Sequence, residues 1–368
     1  MKQMLAARMH NVGEPMVLEQ VPLPEPGPTD VRVAIKACNI VPNLANILRH
    51  WTSWFPQNPL PELPAIFGLD PAGVIDAVGA QVHEFEPGDR VYVNPGRYCG
   101  SCRACRRGEL INCKSYLFAG YFGFSPGAKR LFRDYPYGGL AEYMLAPRYS
   151  LVKLPDNVTF EQGARFGYLG TVYSALRKAK AGPGTTMLVN GISGTLGIGG
   201  ALFGLAMGVT RILGTGRNKE LLARVKALAP ERIEVFSLDD GPLDKWVMER
   251  TDGEGTDVHL DCLGPGAPPD AMLHGLRVMA RGGTCVNIGA MAGTFPFDIH
   301  TLMDRNQTLI GSAWFTAAEG DDMAALARAG VLDLSVFEHM RYPLKKVNEA
   351  ISGIATRNGG FSNFVIMP

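Results

Sequence analysis

The strongest constraint on this chain is a group of four cysteines within fifteen residues, separated by two, two and seven residues: Cys99, Cys102, Cys105 and Cys113. Four thiolates match the tetrahedral preference of Zn²⁺ in a closed structural site, and a single loop can wrap the ion. Because the protein then fills all four ligand positions, such an ion stabilises a loop and takes no part in catalysis. We therefore predict one structural Zn²⁺ per chain, in a lobe at residues 95–115.

Other uses of these cysteines are less consistent with the pattern. Free thiols on a surface loop would be reactive. The bacterial iron–sulfur motif has three residues before its last cysteine and a proline after it, whereas here the last gap is seven and Lys114 follows. In a chain without a secretion signal, the cluster favours a metal over disulfides.

Length and charge set the broad class. The chain has 368 residues, which is too long for one ordinary core and suits two domains. Its net charge of +1, with no basic stripe, argues against a nucleic-acid partner. The segment Met1–Met9 lacks the apolar run of a signal peptide, so we expect a cytoplasmic protein.

One long uncharged stretch needs separate treatment, because thirty residues between Lys180 and Arg211 carry no charge. That length is sufficient for a membrane helix. Asn190 and Ser193 interrupt it, however, and glycine recurs throughout. A buried strand, a glycine turn and a buried helix explain the pattern better, and no membrane partner is expected.

The first 150 residues have the alternation of short strands. Candidate strands are Asp30–Ala37, Ala72–Val78 and Arg90–Val93, and another opens at Gly138–Tyr143. Turns recur every eight to twelve residues. This spacing predicts a compact, barrel-like β domain.

After about residue 155, strands and helices alternate. The predicted elements are helix 160–180, strand 187–190, helix 196–207, strand 211–214, helix 219–228, strand 258–261, helix 271–279 and strand 283–288. This alternation indicates an α/β fold with a doubly wound parallel sheet. Beyond about residue 300 the pattern is mixed again, with a helix at Asp321–Ala329 and a strand at Asn363–Ile366.

A glycine-rich turn joins the first of these strands to a helix of small residues. It reads G-x-x-G-x-x-G, with Ile192 in place of the usual second glycine. Such a turn presents backbone N–H groups and a helix dipole to a pyrophosphate, although a plain turn is the alternative. The predicted cofactor-binding residues here are Gly191, Gly194, Thr195, Leu196 and Gly197.

The end of the next strand bears on which cofactor binds. An NAD site would have an acidic residue there for the ribose hydroxyls, but the chain has Gly216, Arg217 and Asn218. Gly216 leaves room, and Arg217 can pair with a 2′-phosphate. We therefore favour NADP(H) over NAD(H), the alternative being that Arg217 is a solvated surface residue.

Several motifs together resemble the medium-chain dehydrogenase/reductase superfamily, in its zinc-containing, alcohol dehydrogenase-like form. They are the proline-rich loop at 22–28, Pro87–Val91, the four-cysteine lobe, Gly139–Tyr143, the Gly191 turn and Pro343–Ala350. The resemblance implies a GroES-like β-barrel-type catalytic domain at 1–155 and 300–368, interrupted by a Rossmann cofactor domain at 156–299. It also implies hydride transfer to or from a small molecule between the domains, in a homodimer or homotetramer.

The resemblance also implies that the catalytic zinc has been lost. Zinc alcohol dehydrogenases of this family hold it through a Cys, the His of a Gly-His-Glu motif and a later Cys or Glu; the matching positions are Cys38, Leu69 and Gly167. Zn²⁺ held by Cys38 alone would be weak. A rebuilt site that uses Cys38 with Asp70 and water, or with His50, remains an alternative.

Without a Lewis acid, hydrogen-bond donors in a water-poor cleft must stabilise the negative charge that develops on the substrate. Zinc-free relatives, the quinone and enoyl reductases, work in this way, and residues 37–43 resemble their segment. The catalytic candidates are Cys38, Asn43, Asp70 and Tyr168, with Asn39 nearby. Each has a structural alternative: the asparagines as turn caps, the tyrosine and cysteine as core residues and the aspartate as a turn former.

Further roles follow from the resemblance. Thr171 matches a residue placed against the nicotinamide, and main-chain groups of Ile288, Gly289 and Ala290 would bind its carboxamide. The aromatic-rich insertion 118–136 either lines an apolar substrate pocket or packs between subunits or beside the zinc lobe, and the same choice applies to Trp51, Trp54 and Phe55.

The sequence therefore predicts an NADP(H)-dependent oxidoreductase that acts on a small, fairly apolar carbonyl, enone or imine without a catalytic zinc. Two alternatives remain. One is an alcohol dehydrogenase with a rebuilt metal site, and the other is a cofactor-binding protein without enzymatic activity.

Overall fold

A computed structural model describes residues 2–264, 266–268, 270–291 and 293–368. The strands are β1 Gln3–Met9, β2 Val17–Pro22, β3 Asp30–Ile40, β4 Ala65–Ile66, β5 Asp70–Val78, β6 Arg90–Val93, β7 Gly96–Arg97, β8 Leu117–Phe118, β9 Tyr143–Pro147, β10 Leu151–Lys153, β11 Thr186–Asn190, β12 Arg211–Gly216, β13 Ile233–Ser237, β14 Thr256–Asp261, β15 Met279–Asn287, β16 Thr308–Gly311, β17 Glu338–Pro343 and β18 Ser362–Met367. The helices are α1 Leu44–Trp54, α2 Arg103–Arg106, α3 Ala128–Asp134, α4 Phe160–Gly163, α5 Phe166–Lys178, α6 Thr195–Ala206, α7 Lys219–Lys226, α8 Leu243–Arg250, α9 Asp270–Arg277, α10 Ile299–Asp304, α11 Ala317–Arg328 and α12 Val347–Gly353.

The second half of the chain is organised around a six-stranded parallel sheet in the order β13-β12-β11-β14-β15-β16. The chain enters at β11, winds to one edge and then returns to the other. This confirms the predicted doubly wound sheet. In such sheets ligands bind at the carboxyl ends of the strands where the order reverses, which here lies between Asn190 of β11 and Asp261 of β14.

The first half forms antiparallel sheets. Strand β3 is central, because it pairs with β5, β9 and β18. In the β3–β5 register, Cys38 lies opposite Pro71 and Asn39 opposite Asp70. Strand β18 brings the end of the chain back onto β3, so the β-rich part is completed only by the last residues.

The cofactor sheet extends further along the chain than the sequence indicates. Strand β16 begins at Thr308, beyond the expected boundary at residue 299, and pairs in parallel with β15. Its four residues are mostly exposed, so it lacks the buried apolar run that marks the other strands of this sheet. The sequence analysis also missed β13, α1 and α8.

The predicted helix at 160–180 is two helices. A capping box formed by Thr159 and Gln162 starts α4, and α5 begins after a break at residues 164–165. This break places Gly167 and Tyr168 in the first turn of α5, at the end that faces the β-rich part of the chain.

The uncharged stretch 181–210 contains β11 and the twelve-residue helix α6, in which residues 197–204 are buried. Within the described ranges, every helix is too short or too polar to cross a bilayer.

Candidate active site

A cleft of about 1060 Å³ opens between the parallel sheet and the β-rich part. Its volume lies just above the range of roughly 300–1,000 Å³ that is typical of small-molecule sites. The cofactor-sheet side contributes the glycine turn and the end of β15, and the other side contributes residues after β3 and the start of α5. The cleft therefore brings the predicted cofactor residues to the predicted substrate residues.

The glycine turn has the geometry of a phosphate cradle. Gly191 has φ +74°, and a Cβ on Gly197 would collide with the Gly191 carbonyl. Helix α6 starts without a side-chain cap, and among the described residues the buried Thr195 hydroxyl has no hydrogen-bond partner. Free N–H groups and an orphaned hydroxyl at a helix N-terminus fit an anionic group such as a pyrophosphate.

Arg357 supplies positive charge in the same cleft, and the sequence analysis missed it. Its Nη1 donates to the Ile354 carbonyl at 3.1 Å, while its buried Nε has no partner within the described part of the chain. The adjoining loop is held to the glycine turn, because Gly360 N donates to the Ser193 carbonyl at 2.8 Å. Only the return of the chain through β18 places this arginine, and no local motif marks it.

The residues predicted to select the cofactor lie at the end of β12. Gly216 is buried, and a Cβ there would lie 3.2 Å from Ser193 Oγ. Arg217 is exposed, and its side chain forms no ion pair among the residues described. The Asn218 side chain caps α7 by accepting from Leu221 N at 3.0 Å, so at least this part of its role is structural.

The other end of the cleft is where the resemblance places the nicotinamide. Thr171 lines it and donates to the Gly167 carbonyl at 3.0 Å. Ile288, Gly289 and Ala290 also line the cleft. The N–H groups of Ile288 and Gly289 both donate to the Asp261 carbonyl at 3.1 Å, so a main-chain contact of these two residues with a ligand would have to use their carbonyls.

Asn43 and Tyr168 both line the cleft, and Tyr121 lies near each of them. Burial raises the pKa of Tyr168 well above its usual range, so its hydroxyl stays protonated, and no hydrogen bond to another described residue contributes to that pKa. Asn43 Oδ1 accepts from Asn46 Nδ2 at 2.9 Å, which leaves the two Asn43 amide hydrogens to donate to groups on the cleft side, the Tyr121 hydroxyl among them. Both side chains therefore present hydrogen-bond donors.

Tyr121 is a third donor, which the sequence analysis did not single out. It is buried, lines the cleft and lies within hydrogen-bonding reach of Asn43. Burial raises its pKa well above the usual value. In the sequence it is one aromatic among several in the insertion 118–136, with no signal that separates it from them.

Cys38 and Asp70 lie behind the cleft wall, which corrects the interpretation that they touch substrate. Both are completely buried, and Leu69 lines the cleft in front of them. Asp70 Oδ1 accepts from the Tyr92 hydroxyl at 2.9 Å, and Oδ2 has no partner among the described residues. Burial raises the pKa of Asp70 to about 7, opposed by the hydrogen bond of Tyr92, by the nearby Asn39 and by the charge of Arg165.

Other groups fill the positions at which the resemblance places metal ligands. A Cβ on Gly167 would lie 2.6 Å from Asp70 Cγ, so the carboxyl group occupies the space beside this glycine. His50 is exposed and stacks on Trp54 with ring centroids 5.2 Å apart. In the part of the chain that the structure describes, Cys38, Asp70 and His50 do not form a metal-ligand group.

The predicted zinc lobe has the expected donor set. The sulfur atoms of Cys99, Cys102, Cys105 and Cys113 all lie within 4.8 Å of one another. Tetrahedral Zn²⁺ with four thiolates requires sulfurs about 3.8 Å apart. Cys113 Sγ also accepts backbone N–H groups of Cys99 and Ser115, both at 3.3 Å. The cluster fits a structural zinc.

Replacing Cys102 by serine should release the zinc and lower the melting temperature by about 5 °C, because three thiolates hold the ion less tightly and the lobe loses its cross-link. Zinc content and thermal unfolding measure the effect. Cys262→Ser, outside the lobe, is the matched control. Unchanged zinc content in Cys102→Ser would contradict a four-thiolate site.

Aromatic side chains form the wall at the substrate end. Phe118, Phe122 and Phe124 of the insertion line the cleft together with Trp51 and Trp314. Trp51 stacks on Phe122 with centroids 3.9 Å apart, and Phe118 lies 4.4 Å from Trp314. The insertion thus contributes to the pocket, one of the alternatives left open by the sequence.

Comparison with known proteins adds the family. Residues 27–156 match the alcohol dehydrogenase GroES-like domain, and residues 195–329 match the zinc-binding dehydrogenase family. An uncharacterised zinc-type alcohol dehydrogenase-like protein of Escherichia coli K12 is 33% identical over 86% of this chain and 85% of its own length. L-idonate 5-dehydrogenase of Vitis vinifera is 33% identical over 72% of this chain and 68% of its own.

A solved structure supports the same relationship. The cobalt- and zinc-bound thermostable alcohol dehydrogenase of Pyrobaculum aerophilum superposes with a TM-score of 0.79 at 25% identity, covering 100% of both chains. The similarity therefore extends over both the β-rich part and the parallel sheet.

Proposed function

Because this chain belongs to the zinc-binding dehydrogenases of the medium-chain dehydrogenase/reductase superfamily, and so is an NAD(P)-dependent oxidoreductase, we propose that it exchanges hydride between NADP(H) and a small, fairly apolar carbonyl, enone or imine without a catalytic zinc. One observation carries the proposal. Neutral hydrogen-bond donors and aromatic rings line the cleft beside Thr171, while Leu69 and Gly167 stand at the positions of lost metal ligands.

For a ketone, the reaction adds a hydride to the carbonyl carbon and a proton to its oxygen, which gives a secondary alcohol and the oxidised cofactor. The nicotinamide, when bound, supplies the hydride. The Tyr168 hydroxyl donates a hydrogen bond to the carbonyl oxygen and passes its proton to the alkoxide as charge develops. Asn43 donates a second hydrogen bond, and the apolar walls strengthen both interactions by excluding water.

The experiment that tests zinc-free chemistry uses chelator-washed protein. We expect about one zinc per chain, held by the cysteine lobe, and NADPH oxidation with ketones or enones that does not change when further metal is added. A second equivalent of zinc, whose removal abolishes turnover while the lobe stays loaded, would show instead that a catalytic metal site has been rebuilt.

The preference for NADP(H) is supported by the end of β12. Arg217 is exposed beside the glycine turn. Residues Gly216–Asn218 include no acidic side chain of the kind that binds the ribose hydroxyls in an NAD site. An arginine at this point suits a 2′-phosphate, which it can bind through two parallel hydrogen bonds.

Replacing Arg217 by alanine should weaken NADPH binding by about 10- to 100-fold and change NADH binding by less than about twofold, since only NADPH carries the 2′-phosphate. Titration calorimetry with both cofactors measures this. Arg357→Ala should weaken the two cofactors equally, because the pyrophosphate is common to both. Lys226→Ala, an exposed change on α7, should affect neither. Equal losses of both cofactors in Arg217→Ala would overturn the NADP assignment.

We also propose the domain division, with one amendment. The catalytic domain comprises residues 1–155 and the end of the chain, and the cofactor domain runs from 156 through β16 to residue 311, because β16 completes its sheet. The lobe holds one structural Zn²⁺ through its four thiolates, which suits a reducing compartment such as the cytoplasm.

A homodimer is the assembly that the surface supports best. Strand β16 is an edge of the parallel sheet, and Leu309 on it is exposed. Ile299 and Met303 on the preceding helix α10 are 76% and 67% exposed. An exposed edge with apolar neighbours favours pairing with a second copy, and light scattering should give twice the chain mass.

A further inference from the structure

Five aromatic side chains define the substrate end of the cleft, and three separate segments supply them. Trp51 comes from α1, Phe118, Phe122 and Phe124 follow the zinc lobe, and Trp314 follows β16. Trp51 stacks on Phe122 at an interplanar angle of 28°, and Phe118 meets Phe122 edge to face at 5.4 Å. The wall is therefore one continuous set of rings in contact with each other.

The polar edges of both indoles are already used. Trp51 Nε1 donates to the Asn58 carbonyl at 3.0 Å, and Trp314 Nε1 donates to Asn94 Oδ1 at 3.0 Å. These bonds fix the orientation of the two rings. They also leave only carbon surface and π-electrons for contact with a ligand.

Charged side chains that line the cleft have other partners or lie at the cofactor end. Glu109 is paired with Arg107 at 2.7 Å, and Lys178 donates to Ser312 Oγ at 2.8 Å. Arg357 lies on the loop that is bonded to the glycine turn, and its charge also acts on Tyr168, where it favours the build-up of negative charge on that donor and on a substrate oxygen. The neutral donors at the substrate end, Asn43, Tyr121 and Tyr168, form one cluster, which suits one oxygen of a substrate.

This arrangement is poorly suited to a polyol or a sugar. Such a molecule carries a hydroxyl on nearly every carbon, and each hydroxyl that loses water against an aromatic wall without a new partner lowers affinity by roughly tenfold or more. A flat ring, in contrast, gains contact in offset-stacked or edge-to-face geometry.

We propose that the substrate of this cleft is a planar, uncharged aromatic carbonyl compound, with its ring against the cleft-facing side of the wall formed by Trp51, Phe118, Phe122 and Trp314 and its one oxygen on the cluster of Asn43, Tyr121 and Tyr168. The proposal rests on the proposed function and names its substrate class. It differs from the L-idonate activity in the name of the Vitis vinifera relative.

Binding can be measured without turnover, by titrating ketones into the enzyme saturated with NADP⁺. Acetophenone and cyclohexyl methyl ketone form a matched pair, because they have the same carbon skeleton and oxygen but only the first ring is flat. We expect acetophenone to bind about tenfold more tightly and D-fructose to show no binding at millimolar concentration. Equal affinities for the two ketones, or tighter binding of fructose, would overturn the proposal.

Helix α1 offers a matched pair of variants. Trp51 lines the cleft, whereas Trp54, one turn away, is 48% exposed. Trp51→Leu should reduce the preference for acetophenone to about twofold or less, while Trp54→Leu should retain it. Because Trp51 also packs on Phe55, Phe122→Leu serves as a second cleft variant if the first does not fold. An unchanged preference in a folded cleft variant would contradict the proposed ring site.

Turnover separates this proposal from the function on which it rests. Acetophenone that binds tightly but is not reduced by NADPH would contradict the proposed reduction and leave the aromatic site intact. Reduction of cyclohexyl methyl ketone or fructose at rates equal to or above that of acetophenone would support the oxidoreductase function and overturn the aromatic substrate class.

Discussion

Replacing Tyr168 by phenylalanine should lower kcat for ketone reduction by about 10²- to 10⁴-fold, with a change in KM of less than about threefold. The variant keeps the ring and its packing but loses the hydroxyl that would protonate the developing alkoxide. Since burial raises the pKa of Tyr168, ionisation of its hydroxyl should not reduce kcat anywhere between pH 6 and 9. Steady-state kinetics across this pH range measure both effects.

Tyr173 provides the matched control for this prediction. It lies on the same helix, but its hydroxyl donates to Asp322 at 3.2 Å and it does not line the cleft. Tyr173→Phe should leave kcat within about twofold of the original protein. A small effect of Tyr168→Phe, or losses of equal size in the two variants, would remove Tyr168 from the proton-transfer step.

Replacing Asp70 by asparagine should change the free energy of unfolding more favourably at pH 8 than at pH 4. The difference between the two pH values should be about 4 kcal/mol. The folded-state pKa of Asp70 is raised to about 7 from an ordinary 3.8, chiefly by burial. The folded protein therefore holds this proton where the unfolded chain has lost it. The resulting stabilisation is present below pH 3.8 and is lost progressively as the pH rises to about 7.

Other buried groups titrate in the same window, so the difference between two proteins is the quantity to measure. Burial raises the pKa of Asp261 to about 6 and lowers that of His259 to about 4. His259 has the opposite effect, because its unfolded form takes up a proton below about pH 6.5 and the folded form does not. Urea unfolding of the original protein and of Asp70→Asn from pH 4 to pH 8 cancels both contributions.

An exposed carboxyl group is the control. Asp156 is fully exposed, and Asp156→Asn should keep the pH dependence of the original protein. If the free energy of unfolding of Asp70→Asn depends on pH in the same way as that of the original protein, the prediction is wrong. Asp70 is then ionised in the folded protein across the whole range, and a group such as Arg165 compensates its charge.

The cofactor half of the molecule was the more predictable from sequence, because its strands are buried on both faces and read as short apolar runs. Met187–Val189 and the Gly191 turn identify β11 and its helix without tertiary information. Strand β16 was missed for the complementary reason: it lies at an exposed edge and has no such run. The four-cysteine lobe was equally local, since its ligands lie on one loop.

The substrate end depends on contacts between distant residues and was predicted only in part. Asn43 and Tyr168 reach the cleft, as the resemblance implied, but Cys38 and Asp70 do not. Whether an aspartate at the start of a strand faces a cleft or the interior is decided by its neighbours, here Leu69 and Gly167. Arg357 and Tyr121 reach the cleft through the return of the chain at β18 and through the loop after the zinc lobe, and neither path is visible in local patterns.

The contact between Asp70 and Gly167 has a consequence for how this sequence can change over evolutionary time. Any side chain at position 167, including the cysteine or glutamate of a metal site, would collide with the Asp70 carboxyl group. The gain of a three-ligand metal site therefore cannot begin at position 167, and histidine at position 69 alone would add a second ligand to Cys38 without a third. Asp70 would first have to be replaced by a smaller residue, so changes at three positions (69, 70 and 167) separate this sequence from a site in which Cys38 and two further side chains bind a metal.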